Sequence, residues 1–236
     1  MSQTPTNQTP TNQTPDTIVH LMRHGEVHNP DGVLYGRRDG FHLSELGKQM
    51  AEKVADAVKD RDIVHLRVSP LERAQETAAP LALLRGLDIT IDERIIESTN
   101  VFEGKRFGQG DGTLKKPKNW KYLYNPWKPS WGEPYVDIVA RMMSSVHDAR
   151  LAATGHEAVL VSHQLPIWTT RLHVEKRSFL HDPRKRQCTL TSLTSFHFVG
   201  DRLTQVSYSE PAGDLIPTGD KKAPFSAGGA PEEKRP

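Results

Sequence analysis

Cysteine is nearly absent from this chain of 236 residues: Cys188 stands alone. A single thiol excludes an internal disulfide framework and any multi-cysteine zinc or iron–sulfur site, and it fits a reducing compartment. Long apolar runs are missing too. No stretch approaches the roughly 18 apolar residues that a membrane span needs, and the start, MSQTPTNQTPTNQTPD, has neither a cationic end nor an apolar segment. These absences predict a cytoplasmic protein that does not engage a membrane. Charge of one sign is also lacking. Lys and Arg number 31 against 29 Asp and Glu, a formal net charge of +2, so there is no global field to draw in nucleic acid, and no nucleic-acid partner is expected.

What is present divides into three parts. Residues 1–15 carry a TPTNQ repeat, polar and broken by proline, that cannot offset its own ordering entropy and is expected to be a disordered leader. Residues 210–236 are rich in Pro, Gly and charge and are expected to form a flexible tail. Residues 16–209 form one domain, and within it the periodicities alternate. The β-branched run from Thr17 to Arg23 reads as a buried strand. Leu43, Leu46, Met50, Val54 and Val58 repeat at helical spacing behind Ser44, a capping residue, which predicts a helix over about 44–59. Further strands are expected at Ile63–Ser69, Ile89–Ile91 and Ala158–Ser162, and a hairpin at Ser192–Val199 and Leu203–Tyr208. Helices are expected at Pro70–Arg85, stopped by Gly86, at Tyr135–Ala153, and after Pro166. Alternating strands and helices predict an α/β fold, a three-layer α/β/α sandwich around a mostly parallel sheet.

Sites in such sheets gather at the carboxyl ends of the strands. The first strand ends in Arg23-His24-Gly25-Glu26, the second in Ser69-Pro70-Leu71-Glu72-Arg73, the third leads to Glu93 and Glu97, and the fourth ends in Ser162-His163-Gln164. Two arginines, two histidines and one or two carboxylates thus converge from distant segments. Forked guanidiniums hold phosphoryl oxygens, a neutral imidazole between them can attack phosphorus, and a carboxylic acid can protonate the leaving oxygen. His20, His24 and His28 are four apart, but the stretch is β-branched and broken at Gly25, so they cannot share one face for a metal.

The segments LMRHGEVHNP, SPLERAQETAAP and VSHQLPI resemble, in order and spacing, the three blocks of the histidine phosphatase superfamily, in its phosphoglycerate-mutase-like branch. The resemblance covers about Thr17 to Tyr208. It implies a phosphohistidine intermediate on His24, with Glu97 as general acid and base, and phosphate binding by Arg23, Arg73 and His163, without metal or cofactor. Glu93 and Glu103 stand as substitutes for Glu97, because the chain is one residue shorter than the family pattern before Glu103-Gly104. Asn29 lies one residue closer to His24 than the family asparagine. It is read either as a substrate contact or as a turn former in Asn-Pro-Asp-Gly. Gln164 replaces the glycine that normally follows the third-block histidine.

The segment at about 101–133 is the most individual part of the chain. Between Phe102 and Trp131 lysines and arginine interleave with Trp, Tyr and Phe, the composition of a cap or insert over an anionic, partly apolar substrate, or of an aromatic cluster packed on itself. The expected function is hydrolysis of small phosphate monoesters. The alternatives are phosphoryl transfer of the phosphoglycerate mutase type and a non-catalytic module that binds a phospho-ligand or protein. The sequence leaves the oligomeric state open.

Overall fold

The computed structural model describes residues 16–105, 132–182 and 185–216. The leader and the greater part of the expected cap, 106–131, lie outside the described residues, as do residues 217–236. Among the described residues six strands form one sheet: β1 (Asp16–Arg23), β2 (Ile63–Val68), β3 (Ile89–Ile91), β4 (Glu157–Ser162), β5 (Leu193–Val199) and β6 (Arg202–Ser209). Their order is β3-β2-β4-β1-β5-β6. The pairings β1 with β4, β2 with β4 and β2 with β3 are parallel, while β5 runs antiparallel to both β1 and β6. Among the described residues the α-helices are α1 (Glu45–Ala57), α2 (Glu72–Arg85), α3 (Tyr135–Ala152) and α4 (Gln164–Val174).

Side chains alternate across each central strand, and this makes the three layers. Val19, Leu21, Ala158 and Leu160 face one side, where Ile138, Met142, Val146 and Ala149 of α3 and Ile167 of α4 cover them. Met22, Val159 and Val161 face the other, under Val54 and Ala55 of α1 and Ala74, Ala78 and Leu81 of α2. A one-residue slip of β1 or β4 would exchange these sets, so the two cores fix the register that brings the strand ends together.

The capping chemistry is as expected at two ends. Ser44 caps α1, its Oγ accepting from Gly47 N at 3.0 Å, and Gly86 ends α2 in the left-handed conformation (φ +62°). Two helix starts differ from the sequence reading. Helix α2 begins at Glu72 rather than Pro70, because Ser69-Pro70 is used to turn the chain out of β2 and Gln75 Nε2 fastens the Pro70 carbonyl at 2.6 Å. Helix α4 begins at Gln164, immediately after His163, so Pro166 lies within its first turn, where no backbone donor is required.

The expected flexible tail is corrected for its first residues. After β6 the chain at 210–216 folds back, burying Ala212 and Ile216 against Met50 and Leu190. The apolar pair Leu215-Ile216, embedded in a Pro/Gly/charge-rich stretch, was enough to build a small satellite core.

Candidate active site

Strands β1 and β4 are adjacent and parallel, and Arg23 pairs with Ser162, so the next residues of both strands, His24 and His163, emerge side by side. His24 N donates to Ser162 O at 3.1 Å, and the two imidazole rings lie 5.1 Å apart. On the far side of β4, Ser69 N donates to Val161 O at 3.0 Å, which carries the turn into α2, and with it Arg73, to the same sheet edge. The strand order therefore does what the sequence could only anticipate: Arg23, His24, Arg73 and His163 meet at one crevice, all of them buried.

The His24 ring is fixed by a contact whose direction is unambiguous. Its Nδ1 lies 2.7 Å from Gly25 O, and a carbonyl can only accept, so Nδ1 carries the proton and Nε2 keeps a lone pair. Burial, reinforced by the charges of Arg73 and Arg23, holds the imidazole well below its ordinary value, so the ring is neutral at pH 7. A neutral imidazole with an unprotonated Nε2, under the charges of two guanidiniums, can act as a nucleophile toward an anion.

The loop that presents His24 is built by close approach. A Cβ on Gly25 would lie 2.7 Å from Gly47 O, and one on Gly47 would collide with the Glu26 carbonyl, so the loop and the start of α1 share space that only two glycines leave open. Thr77 locks the loop to α2: its Oγ1 accepts from Gly25 N at 2.9 Å and donates to Arg73 O at 2.6 Å. Glu26, fully buried, accepts from the Ser44 hydroxyl at 2.7 Å and ties the loop to the α1 cap.

Arg73 is 0% exposed, yet no carboxylate pairs with it among the described residues. Its Nη2 donates to Gly36 O at 2.6 Å and its guanidinium stacks 4.7 Å from the centre of the Tyr35 ring, while Nε and Nη1 have no partner among the described residues. Arg23 donates through Nη1 to Cys188 O at 2.9 Å and leaves Nε unpartnered. His163, also 0% exposed, makes a 2.7 Å hydrogen bond between Nε2 and Ser69 Oγ, and its Nδ1 has no partner. Burial first, then the charge of Arg73, keeps this ring well below its usual range. The Ser69 hydroxyl can donate to Nε2, and in that tautomer the proton of His163 resides on Nδ1. Buried donors are rarely left without acceptors. Nε of Arg23, Nε and Nη1 of Arg73 and, in that tautomer, Nδ1 of His163 can together serve an anion with several oxygens, as a phosphoryl group has.

Glu97 stands at the rim, partly buried, after a 3-10 turn at Glu93–Ile95. Burial raises its carboxyl above the usual carboxylate value, against the pull of Arg73, Arg141 and Arg23 and a 2.8 Å hydrogen bond from Ser98 N. That combination describes a carboxyl whose proton is held more tightly than usual beside a cationic site. Its backbone is clamped from outside. Arg37 Nε donates to Glu97 O at 2.6 Å, Arg141 Nη1 donates to Arg94 O and Ile96 O at 2.7 Å each, and both arginines meet on Glu133. Of the two substitutes, Glu93 is exposed, and Glu103 accepts from Asn100 N at 3.1 Å within its own turn. Asn29 makes the contacts of a turn: its Nδ2 donates to Val33 O at 2.8 Å and its Oδ1 accepts from Val33 N at 3.1 Å. Cys188 is buried, its thiol pushed up to about 11 by desolvation, which makes it an unreactive side chain whose carbonyl is the useful part.

Several residues of the site carry no sequence signal that a single chain reveals. Tyr35, Thr77, Arg37, Arg141 and Glu133 act through partners 38 or more positions away, or in the middle of helices whose periodicity explains them as ordinary surface or core. The Leu-Tyr-Gly-Arg-Arg run at 34–38 was the one available hint, an aromatic and two cations at a glycine turn.

Comparison with known proteins agrees with the geometry. Rv0525 of Mycobacterium tuberculosis (strain ATCC 25618 / H37Rv) is 57% identical over 197 residues, which span 84% of this chain and 98% of that protein. A probable phosphoglycerate mutase, GpmB of Escherichia fergusonii, is 31% identical over 155 residues, 63% of this chain and 70% of its own length. Among solved structures, YhfR of Bacillus stearothermophilus superimposes with a TM-score of 0.69 over 84% of this chain and 99% of its own, at 22% identity, a likeness of fold. Residues 19–211 match the histidine phosphatase superfamily (branch 1), and the chain belongs to that family.

Proposed function

We propose that the protein hydrolyses phosphate monoesters through a phosphohistidine on His24, with Glu97 as general acid and base and with Arg23, Arg73 and His163 holding the phosphoryl oxygens. The observation that carries this reading is the His24 ring itself: Nδ1–H anchored on Gly25 O, Nε2 unprotonated, and the unpartnered donors of Arg23, Arg73 and His163 around it. In the first step Nε2 attacks phosphorus, the P–O bond to the alcohol breaks, and Glu97, whose carboxyl burial raises above its ordinary value, gives its proton to the leaving oxygen. In the second step the resulting carboxylate takes a proton from water, the hydroxide oxygen attacks phosphorus, and the P–N bond breaks to release inorganic phosphate and restore His24. The two arginines carry permanent charge into both transition states, so the scheme assigns no step to a metal ion or cofactor.

Partitioning tests it. Turnover of several aryl phosphates in the presence of glycerol should give one constant ratio of glycerol phosphate to inorganic phosphate, whatever the leaving group, because every substrate passes through the same phosphoenzyme. A ratio that follows the leaving group means that water attacks the substrate directly. The relative described as a probable phosphoglycerate mutase favours a second reading, in which the phosphoryl group returns to a substrate hydroxyl instead of reaching water. Interconversion of phosphoglycerates faster than release of inorganic phosphate decides for that reading.

A further inference from the structure

Arg186 lies in the connection between α4 and β5, partly buried, and no carboxylate pairs with it among the described residues. In this it resembles Arg23 and Arg73 and differs from Arg37, Arg67, Arg94, Arg141 and Arg171, each of which meets an Asp or Glu within 3.0 Å. Its charge is felt at the crevice: Glu97, Tyr135, Cys188 and Arg23 all act electrostatically on its guanidinium. A cation withdrawn from water without a counter-ion is costly unless a ligand supplies the anion.

The guanidinium is not loose. Its Nε donates to His181 Nε2 at 2.8 Å, and His181 Nδ1 lies 2.7 Å from Phe179 O, so the ring must be neutral with its proton on Nδ1 in order to accept from Arg186. His181 in turn packs against Trp168 and Tyr135, with ring centres 5.8 and 6.4 Å away. On its other side Arg186 Nη1 donates to Gln164 Oε1 in a long hydrogen bond of 3.4 Å. Gln164 Nε2 then donates to Cys188 O at 3.4 Å, the carbonyl that also accepts from Arg23 Nη1 at 2.9 Å. One carbonyl thus joins the arginine of the phosphoryl cradle to the side chain that braces Arg186. The glutamine occupying position 164, directly after His163, supplies that brace, and a glycine there would have no acceptor to offer.

We propose that Arg186, oriented by His181 and Gln164, binds a second anionic group on the substrate, so that the site selects phosphomonoesters that also carry a carboxylate or a second phosphate over esters of neutral alcohols. The inference rests on the reading of Arg23, Arg73 and His163 as the phosphoryl cradle. Arg186 is a specificity-determining residue, and Gln164 is a positioning residue that acts through it.

Equilibrium binding to the His24→Ala protein, which cannot be phosphorylated at that position, tests the inference without turnover. The probes are 3-phosphoglycerate against glycerol 3-phosphate, which exchange a carboxylate for a hydroxymethyl group, and fructose 1,6-bisphosphate against fructose 6-phosphate. The doubly anionic member of at least one pair should bind about 10- to 100-fold more tightly, the range for a charged hydrogen-bonded contact. Adding Arg186→Met should reduce that preference to less than about threefold while leaving glycerol 3-phosphate and fructose 6-phosphate affinity in place. Arg186→Lys should retain part of it, and Gln164→Gly should weaken it without abolishing it. The pair that responds identifies the second anion as carboxylate or phosphate. A preference that survives Arg186→Met overturns the inference, as does an equal loss for both members of each pair in Arg186→Met and Arg186→Lys proteins that melt like the parent. If none of the four ligands binds to the parent, the cradle reading fails and this inference falls with it, whereas binding without an Arg186-dependent preference removes the inference alone.

Discussion

Replacing Glu97 by glutamine should separate proton donation from everything else the residue does. The side chain keeps its length and its acceptor for Ser98 N, now 2.8 Å from Oε1, and the backbone stays clamped through Arg37 on Glu97 O, so the substrate site should keep its shape. What disappears is the acidic proton of a carboxyl that burial raises above its ordinary value. An alkoxide leaving group without that proton should depart about 10² to 10⁴ times more slowly, equivalent to roughly 2.7 to 5.5 kcal/mol of transition-state stabilisation. A nitrophenolate needs no proton to leave, so phosphorylation of His24 by 4-nitrophenyl phosphate should be almost unchanged and only the hydrolysis of the phosphoenzyme should slow. The assay is rapid-quench turnover of an alkyl and an aryl phosphate by Glu93→Gln, Glu97→Gln and Glu103→Gln proteins side by side. Glu97→Gln should show an aryl burst followed by a slow steady state and a severe alkyl defect, and the other two should behave like the parent. Equal slowing of both burst rates, or a leaving-group effect in Glu93→Gln or Glu103→Gln instead, refutes the assignment of the acid.

Three further outcomes follow from the same geometry. Arg73→Met removes a fully buried charge with two unpartnered nitrogens and replaces it by apolar volume beside Tyr35, so turnover should fall by about 10³ or more while the melting temperature holds or rises; a large loss of thermal stability contradicts this. Below about pH 6.5 the unfolded chain protonates His24 and His163 while burial holds both native rings well below that value, so each group makes stability fall as pH falls, by at most about 1.4 kcal/mol per unit. Glu97 acts oppositely, its stabilisation being lost as pH rises through its raised value, so the diagnostic is the change on His24→Asn: the slope in urea titrations should flatten by about one proton. Ile216→Ala should cost about 2 kcal/mol by opening the small core against Met50 and Leu190, with kinetics untouched, and an unchanged urea midpoint refutes the packing of the 210–216 segment.

Much of this architecture was legible in the residues because period and position coincide. Ile18 to Met22, Ile63 to Val68 and Ala158 to Val161 are β-branched or apolar runs that end abruptly in polar residues, and in a parallel sheet those ends are the site. His24, Arg73 and His163 could be found for that reason. Asn29 could be narrowed only to two roles, since its amide answers to Val33 four residues on and a turn signal and a ligand contact look alike in one dimension. Arg37, Arg141 and Glu133 were illegible because they form a tertiary clamp between the Tyr35 loop, the start of α3 and the segment before Glu97. Gln164 was visible as a departure from the family pattern, but its partner Arg186 depends on how the connection after α4 folds back across the sheet edge. Leu215-Ile216 was hidden by the composition around it.

The central claim is that His24 Nε2 carries the phosphoryl group. Mixing the protein with an aryl phosphate labelled in the phosphoryl group, quenching within the first turnover and mapping the label should place it on His24 in a linkage stable to alkali and labile to acid, with none in the His24→Ala protein. Label on another residue, or equal label in the absence of His24, contradicts the account.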